Sequence, residues 1–367
     1  MQSTSLEGFL IGVTADRRAD EQCEMLRRRG ARVLHGPSVC AVPLAPDIRM
    51  RAATEALIDA PPAVLVANTG TGIRTWFAAA ESWGLGDALL RSLDDTRILA
   101  RGPKAAGAIL TAGLDVTWRS NSETLAEAVS EVVASTPSGT KVAVQLDGGV
   151  EQLEVVRLRA AGFDVAELRV YETQTPADAR PGLVLLKAVC DQRVDAITFT
   201  STAAVRGFAT LAQRHGRSND VCTSLTGRVL AICVGPVSAQ AATDLGFAAL
   251  HPDRPRLGSM VHRLTAELSG QRRCLRLAGT DVVLQGSAIN IDGTPLTLTH
   301  QERSILDLLL TKDGAVATRL DLLRTIWGDS TEEHALEVAI TRLRKKLGTA
   351  GPALRTVIRR GYRIQID

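Results

Sequence analysis

Four short turns carry hydroxyl and backbone N–H groups where apolar runs give way to amphipathic segments: Asn68-Thr69-Gly70, Thr200-Ser201-Thr202, Gly102-Pro103 and Gly235-Pro236-Val237-Ser238. Hydroxyls beside helix N-termini are suited to carboxylates and phosphates, because orphan N–H groups and the helix dipole both favour negative charge there. The same residue types are the preferred N-caps, so Thr69, Ser201, Thr202 and Ser238 are equally open to a structural use. A second chemistry is cationic. The 22 residues from Arg342 to Arg363 hold eight basic side chains and no acidic one, a local field suited to a polyanion. The six cysteines form no CxxC pair and have no histidine set at metal spacing, so they read as buried thiols and no metal site is expected.

Those turns need rigid elements to hold them. Phe9-Leu10-Ile11-Gly12-Val13, Ala63-Val64-Leu65-Val66, Lys141-Val142-Ala143-Val144, Ala196-Ile197-Thr198-Phe199 and Val229-Leu230-Ala231-Ile232 are short, apolar and unalternating, the pattern of parallel strands covered on both faces. Amphipathic helices follow them, several ending at a glycine: Gly30, Gly113, Gly162 and Gly246.

The elements recur. Leu26 to Val33 matches Leu158 to Val165, Asn68 to Trp76 matches Thr200 to Phe208, and Gly102-Pro103 with Gly113 matches Gly235-Pro236 with Gly246, all at an offset of 132 or 133 residues. The class is therefore α/β, with two similar doubly wound parallel-sheet lobes. Ligands of such sheets sit at the strands' carboxyl ends, where the four turns lie.

A chain of 367 residues exceeds one ordinary core, which predicts two or three domains. Its net charge of +3 is unevenly shared: residues 271–367 hold 15 Lys/Arg and 11 Asp/Glu, whereas the remainder holds 28 and 29. The basic excess is C-terminal. No apolar run approaches a membrane span and the first residues lack a basic then apolar pattern, so a cytoplasmic protein without membrane partners is expected.

Over roughly residues 8–268 the sequence resembles uroporphyrinogen-III synthase. The resemblance rests on Val170-Tyr171-Glu172-Thr173, on Phe199-Thr200-Ser201-Thr202-Ala203-Ala204-Val205-Arg206-Gly207-Phe208, and on Ile232-Cys233-Val234-Gly235-Pro236-Val237-Ser238-Ala239 with Leu245-Gly246-Phe247. It implies two lobes joined by a two-stranded connector, lobe one from 8–40 plus 174–268 and lobe two from 44–170, within a module of residues 1–270. It also implies cyclisation of hydroxymethylbilane to uroporphyrinogen III without metal or organic cofactor. Tyr171 would then assist departure of the hydroxyl, and Thr14, Arg17, Thr69, Ser201, Thr202 and Ser238 would line the cleft for an anionic substrate. The chain departs from the family pattern at Ala105, at the displaced Arg17 and at Leu146-Asp147-Gly148-Gly149, which puts an acid where many members have a cation. A cleft that binds but reacts poorly fits those changes.

From Cys274 onward the chain resembles the winged helix-turn-helix DNA-binding domain of OmpR/PhoB-type regulators, in a second domain spanning 271–367. The matching segments include Thr299-His300-Gln301-Glu302-Arg303, Leu322-Leu323-Arg324-Thr325-Ile326-Trp327-Gly328, Ala339-Ile340-Thr341-Arg342-Leu343-Arg344-Lys345-Lys346-Leu347 and Arg360-Gly361-Tyr362-Arg363-Ile364. Local physics agrees. Thr299 and Glu302 have capping-box spacing, and Leu336, Ile340, Leu343 and Leu347 repeat at helical intervals. The opposite face presents Thr341, Arg342 and Lys345, with Arg344 and Lys346 on its flanks. Arg342 is placed to read a base edge, Arg344, Lys345 and Lys346 to meet phosphates, and Arg359 and Arg360 to form a basic wing on double-stranded DNA.

Three functions follow from the pair of resemblances. The first is a transcriptional regulator whose synthase-like module senses a tetrapyrrole or other small anion, or a partner regulator; fusions resembling this one are associated with nitrate and nitrite assimilation. The second is a bifunctional synthase with a DNA-binding tail, and the third makes the lobes a protein-docking surface.

Overall fold

The computed structural model describes residues 5–43, 48–146, 153–328 and 333–367. The chain opens with β1 (Leu10–Val13), α1 (Ala19–Arg27) and β2 (Arg32–His35), then enters β3 (Cys40–Pro43). A second set follows: α2 (Ile48–Asp59), β4 (Val64–Ala67), α3 (Gly70–Ser82), α4 (Gly86–Ser92), β5 (Arg97–Ala100), α5 (Pro103–Thr111), β6 (Trp118–Arg119), α6 (Leu125–Ser135), β7 (Lys141–Leu146), α7 (Leu153–Ala160) and β8 (Asp164–Arg169). After β9 (Tyr171–Gln174) come α8 (Arg180–Cys190), β10 (Ala196–Phe199), α9 (Thr202–Arg214), α10 (Ser218–Thr226), β11 (Leu230–Cys233), α11 (Pro236–Asp244) and α12 (Leu257–Ser269).

Two parallel sheets result, in the orders β11-β10-β1-β2 and β6-β5-β4-β7-β8. They correspond strand for strand: β11 to β5, β10 to β4, β1 to β7 and β2 to β8. That correspondence is the duplication seen in the sequence. Strands β3 and β9 pair antiparallel, Cys40 opposite Gln174 and Pro43 opposite Tyr171, as a two-stranded connector. By contacts the chain divides into Met1–Val39 with Pro176–Asp367, and Cys40–Thr175.

The apolar strand runs explain the cores. In β4 and β10 every residue is buried, as covering on both sheet faces requires. Helices pack on each face, giving lobe two one cluster around Trp76, Leu65 and Ile98 and another around Val66, Val129 and Val144. The four glycines expected at helix ends all adopt positive φ, 91° at Gly30, 87° at Gly113, 84° at Gly162 and 91° at Gly246. Side chains with a Cβ rarely reach that region, so these positions stop their helices.

The last part comprises a four-stranded antiparallel sheet of β12 (Arg273–Leu277), β13 (Thr280–Gln285), β14 (Ala288–Ile291) and β15 (Thr294–Thr297). Then follow α13 (His300–Thr311), β16 (Ala317–Thr318), α14 (Arg319–Trp327), α15 (Glu333–Lys346), a 3-10 turn (Gly348–Ala353), β17 (Leu354–Val357) and β18 (Gly361–Ile364). This is a winged helix. Its own core gathers Leu306, Leu309, Leu322, Leu336, Ile340, Leu343, Leu354 and Tyr362. Among the described residues no helix is long and apolar enough to cross a membrane.

Candidate functional site

The strand-end turns are built largely from the residues the sequence singles out, yet many of their polar groups are already engaged. Thr69 is the N-cap of α3: its hydroxyl accepts from Gly72 N–H at 3.1 Å, and its own N–H donates to Gln145 Oε1 at 2.7 Å. Ser201 caps α9 in the same way, accepting from Ala204 N–H at 3.1 Å. Thr202 begins α9 half-buried, and Ser238 is buried in the first turn of α11. Thr14 is fully buried, and both its hydroxyl (2.8 Å) and its N–H (3.3 Å) donate to the Thr198 carbonyl. Arg17 is exposed, in the segment between β1 and α1. Tyr171 is paired in β9, and its side chain lies outside the described residues, as does the Asp147-Gly148-Gly149 segment.

Three residues missed by sequence reasoning lie at or beside these turns. Gln145 is fully buried at the end of β7, with its Nε2 donating to Leu146 O at 2.6 Å. Arg101 donates from Nε to Glu123 O at 2.9 Å and from Nη1 to Asn68 Oδ1 at 3.0 Å, so a cation stands beside the Asn68-Thr69-Gly70 turn. Gln22 lies in the buried stripe of α1 and donates to Thr198 Oγ1 at 2.7 Å, leaving its own oxygen unpartnered. Gln22 and Gln145 did carry a signal, an amide in an otherwise apolar stripe or run. Arg101 carried none.

In the winged helix, Thr299 and Glu302 form the expected capping box, and Thr318 with Asp321 forms a second at the start of α14. Leu336, Ile340, Leu343 and Leu347 are buried, which turns His334, Glu337, Thr341, Arg342 and Lys345 to solvent. These residues, with Val338, border an open hollow of about 400 Å³; Lys345 alone lies outside it. Two flanking cations are engaged within the domain. Arg344 donates from Nε and Nη2 to Leu354 O at 3.1 and 2.9 Å and from Nη2 to Thr356 Oγ1 at 3.2 Å, fastening α15 to the wing. Lys346 donates to Thr297 O at 3.1 Å and to Glu302 Oε2 at 2.6 Å.

Burial alone would push the Glu302 carboxyl up, but the hydrogen bonds from Lys346 and from Thr299, with the Lys346 charge, outweigh it and hold the group below its ordinary range.

Among the described residues, the wing hairpin concentrates positive charge with no acidic side chain paired to it. Arg355 sits directly opposite Arg363 in the β17–β18 register, an unfavourable pairing unless an anion lies against it. The turn between these strands exposes Ile358, Arg359 and Arg360. Arg359 takes φ 60°, a left-handed conformation that glycine accepts freely and arginine adopts at a cost of roughly 1–2 kcal/mol. Thr341, Arg342 and Lys345 on the helix and Arg359 and Arg360 on the wing are thus the solvent-facing part of the expected set. No group of acidic, histidine and cysteine side chains suited to a metal occurs among the described residues.

A duplicated α/β module carrying a winged helix with an exposed basic face defines a DNA-binding regulator. The family model described as uroporphyrinogen-III synthase HemD matches residues 20–262, and that described as transcriptional regulatory protein, C terminal, matches residues 293–364. The chain belongs to the uroporphyrinogen-III synthase family, and it is fused to an OmpR/PhoB-type DNA-binding domain.

Uncharacterized protein YjjA of Bacillus subtilis is 26% identical over 265 residues, 71% of this chain and 96% of that protein. A mutant uroporphyrinogen III synthase of Thermus thermophilus superposes with a TM-score of 0.60 at 25% identity, covering 72% of this chain and all of the synthase. The transcriptional regulatory protein KdpE of Mycobacterium tuberculosis is 33% identical over 94 residues, 25% of this chain and 42% of KdpE.

Proposed function

We propose that this regulator reads double-stranded DNA through α15 and the β17–β18 wing, under control of a small anionic ligand held by the synthase-like module. The carrying observation is the division of labour among the basic residues. Arg344 and Lys346 are spent inside the domain, whereas Thr341, Arg342, Lys345, Arg359 and Arg360 face outward, as a helix reading base edges and a wing on the backbone require. The ligand is a tetrapyrrole carboxylate or a chemically similar anion, in keeping with the family, and nitrate or nitrite assimilation is the process we assign to its control. A partner regulator bound by the lobes is the alternative input.

The test is selection of duplexes from a random pool by the full chain, followed by anisotropy titration with and without uroporphyrin III. Arg342→Ala should weaken binding by about 1–3 kcal/mol and relax preference at one base pair. Unchanged affinity and preference would remove Arg342 from the reading face. A duplex affinity indifferent to uroporphyrin III and to other polycarboxylates would sink the ligand-controlled reading.

Family membership supports a second reading, in which the module still closes hydroxymethylbilane. Formation of isomer III over isomer I, abolished by Tyr171→Phe, would establish it.

A further inference from the structure

The winged helix follows α12 after only Gly270, Gln271 and Arg272, and it packs against lobe one within the same compact unit. Among the described residues, two sets of contacts make the junction. In the first, the turn between β13 and β14 meets the segment before β1: Ser287 donates from N–H and Oγ to Gly8 O, both at 2.7 Å, and Gln285 Nε2 donates to Ser5 O at 2.9 Å and Glu7 O at 3.1 Å. A Cβ on Gly8 would lie 2.2 Å from the Gln285 carbonyl, and one on Gly286 would lie 2.5 Å from Gly8 O. Only glycines let these backbones approach so closely.

In the second, α13 lies against the amino-terminal edge of the sheet. Arg303 pairs with Asp195 Oδ1, and Arg228 pairs with Asp307, which also lies 3.5 Å from Arg303 Nε. Asp195 is buried, and its other oxygen accepts the Leu10 N–H at 2.7 Å. One carboxylate therefore ties β10 to β1 and both to α13.

The duplication supplies an internal control. Pairing of Val64 with Val142 in lobe two and of Ala196 with Ile11 in lobe one places Gly139 at the position of Gly8 and Ala63 at that of Asp195. Gly139 keeps the same backbone, φ 82° against 84°, but a Cβ there would meet nothing within 4 Å, and Ala63 is exposed and carries no charge. The acid and the close glycine approach belong to the lobe that carries the DNA-binding domain, not to the α/β fold in general.

We propose that this edge is a coupling interface: the winged helix is docked rather than tethered, and the fit of β10 against β1 is communicated through Asp195 and Arg303 to α13, which shares the domain core with α15. The interface uses α13 and the β13–β14 turn and leaves the reading face of α15 exposed, so docking is compatible with DNA binding. Because coupling is reciprocal, duplex binding must be felt in lobe one. The inference rests on DNA reading by α15, and one experiment separates the two.

Hydrogen exchange is followed by mass spectrometry on the full chain, with and without a saturating duplex selected from a random pool. In the native chain, peptides covering 6–13 and 193–199 should exchange at least threefold more slowly with duplex, along with α15. In Arg303→Ala/Arg228→Ala, α15 should still be protected and the lobe-one peptides should not respond. Asp195→Asn, which still offers Leu10 N–H an oxygen, should behave like that double variant and guards against loss of fold. Protection of α15 with no response in the native lobe, or an unchanged response in both variants, would overturn the coupling. No protection of α15 would overturn the DNA reading and the coupling together.

Discussion

Replacing Arg344 by alanine tests whether this cation acts inside the domain or on DNA. Its guanidinium makes two hydrogen bonds to the carbonyl of Leu354, a residue 1% exposed, and a third to Thr356 Oγ1. Hydrogen bonds from a charged donor contribute about 1.5–3 kcal/mol when the acceptor is otherwise dry. The side chain is only partly covered, so the lower part of that range applies, and Arg344→Ala should cost the full chain about 2 kcal/mol in urea unfolding. The salt dependence of duplex binding reports the other role. A lost phosphate contact lowers the slope of log Kobs against log salt by about 0.9, as Lys345→Ala should. An Arg344→Ala chain as stable as the native one, within about 0.5 kcal/mol, with its slope reduced by one contact, would refute the internal assignment.

Three further outcomes are expected. Glu302→Gln keeps an oxygen for Thr299 N–H but removes the charge that pairs with Lys346, at a cost of about 1–2 kcal/mol near neutral pH. The folded carboxyl lies below its ordinary range, so this contribution is present above about pH 4.3 and is lost as pH falls through the depressed value; acid titration of stability should be shallower in the variant. Only Cys23 and Cys233 of the six thiols expected to be buried are so, and Cys274 in β12 is exposed; burial pushes the Cys233 thiol up to about 12, so iodoacetamide at pH 8 should modify Cys274 and spare Cys233, and equal rates by peptide mass spectrometry would contradict that burial. Thr14→Val deletes the hydroxyl bonded to Thr198 O and should cost about 1 kcal/mol in thermal unfolding; loss of ligand binding at unchanged stability would instead make Thr14 a ligand contact.

Local chemistry was legible in the sequence and long-range chemistry was not. The strands, the glycine stops and the Thr299 capping box depend on neighbours within a few residues, and each appears where its pattern places it. The flanking positions of Arg344 and Lys346 on α15 were also readable, but not what they meet. Leu354 lies ten residues on, and Glu302 lies 44 residues back on another helix. Arg101 reaches Asn68 across 33 residues, and Asp195 meets Arg303 across 108. No composition or periodicity encodes such partners, because only the packed sheets bring them together.

The register sharpens what the duplication means for the two sets of strand-end turns. With Val13 equivalent to Val144, Thr14 falls on the position of Gln145. Each secures its lobe by a different bond: Thr14 donates to the strand β10, and Gln145 accepts from the turn that begins α3. The Gly-Pro turns diverge likewise, Val234-Gly235-Pro236-Val237-Ser238 against Arg101-Gly102-Pro103-Lys104-Ala105. Lobe one keeps a hydroxyl in the first turn of its helix, and lobe two replaces it with a methyl while adding two cations. Two turns of one backbone geometry thus offer unlike groups, a hydrogen-bonding set and a charged set. Of the two, the charged turn suits a carboxylate better, because a hydrogen bond from a cation is roughly twice as strong as one between neutral groups. Arg101 is held by Glu123 and Asn68, which leaves exposed Lys104 as the side chain to remove. Lys104→Ala should therefore weaken uroporphyrin III binding more than Ser238→Ala does, and the reverse order by titration calorimetry would break that reasoning.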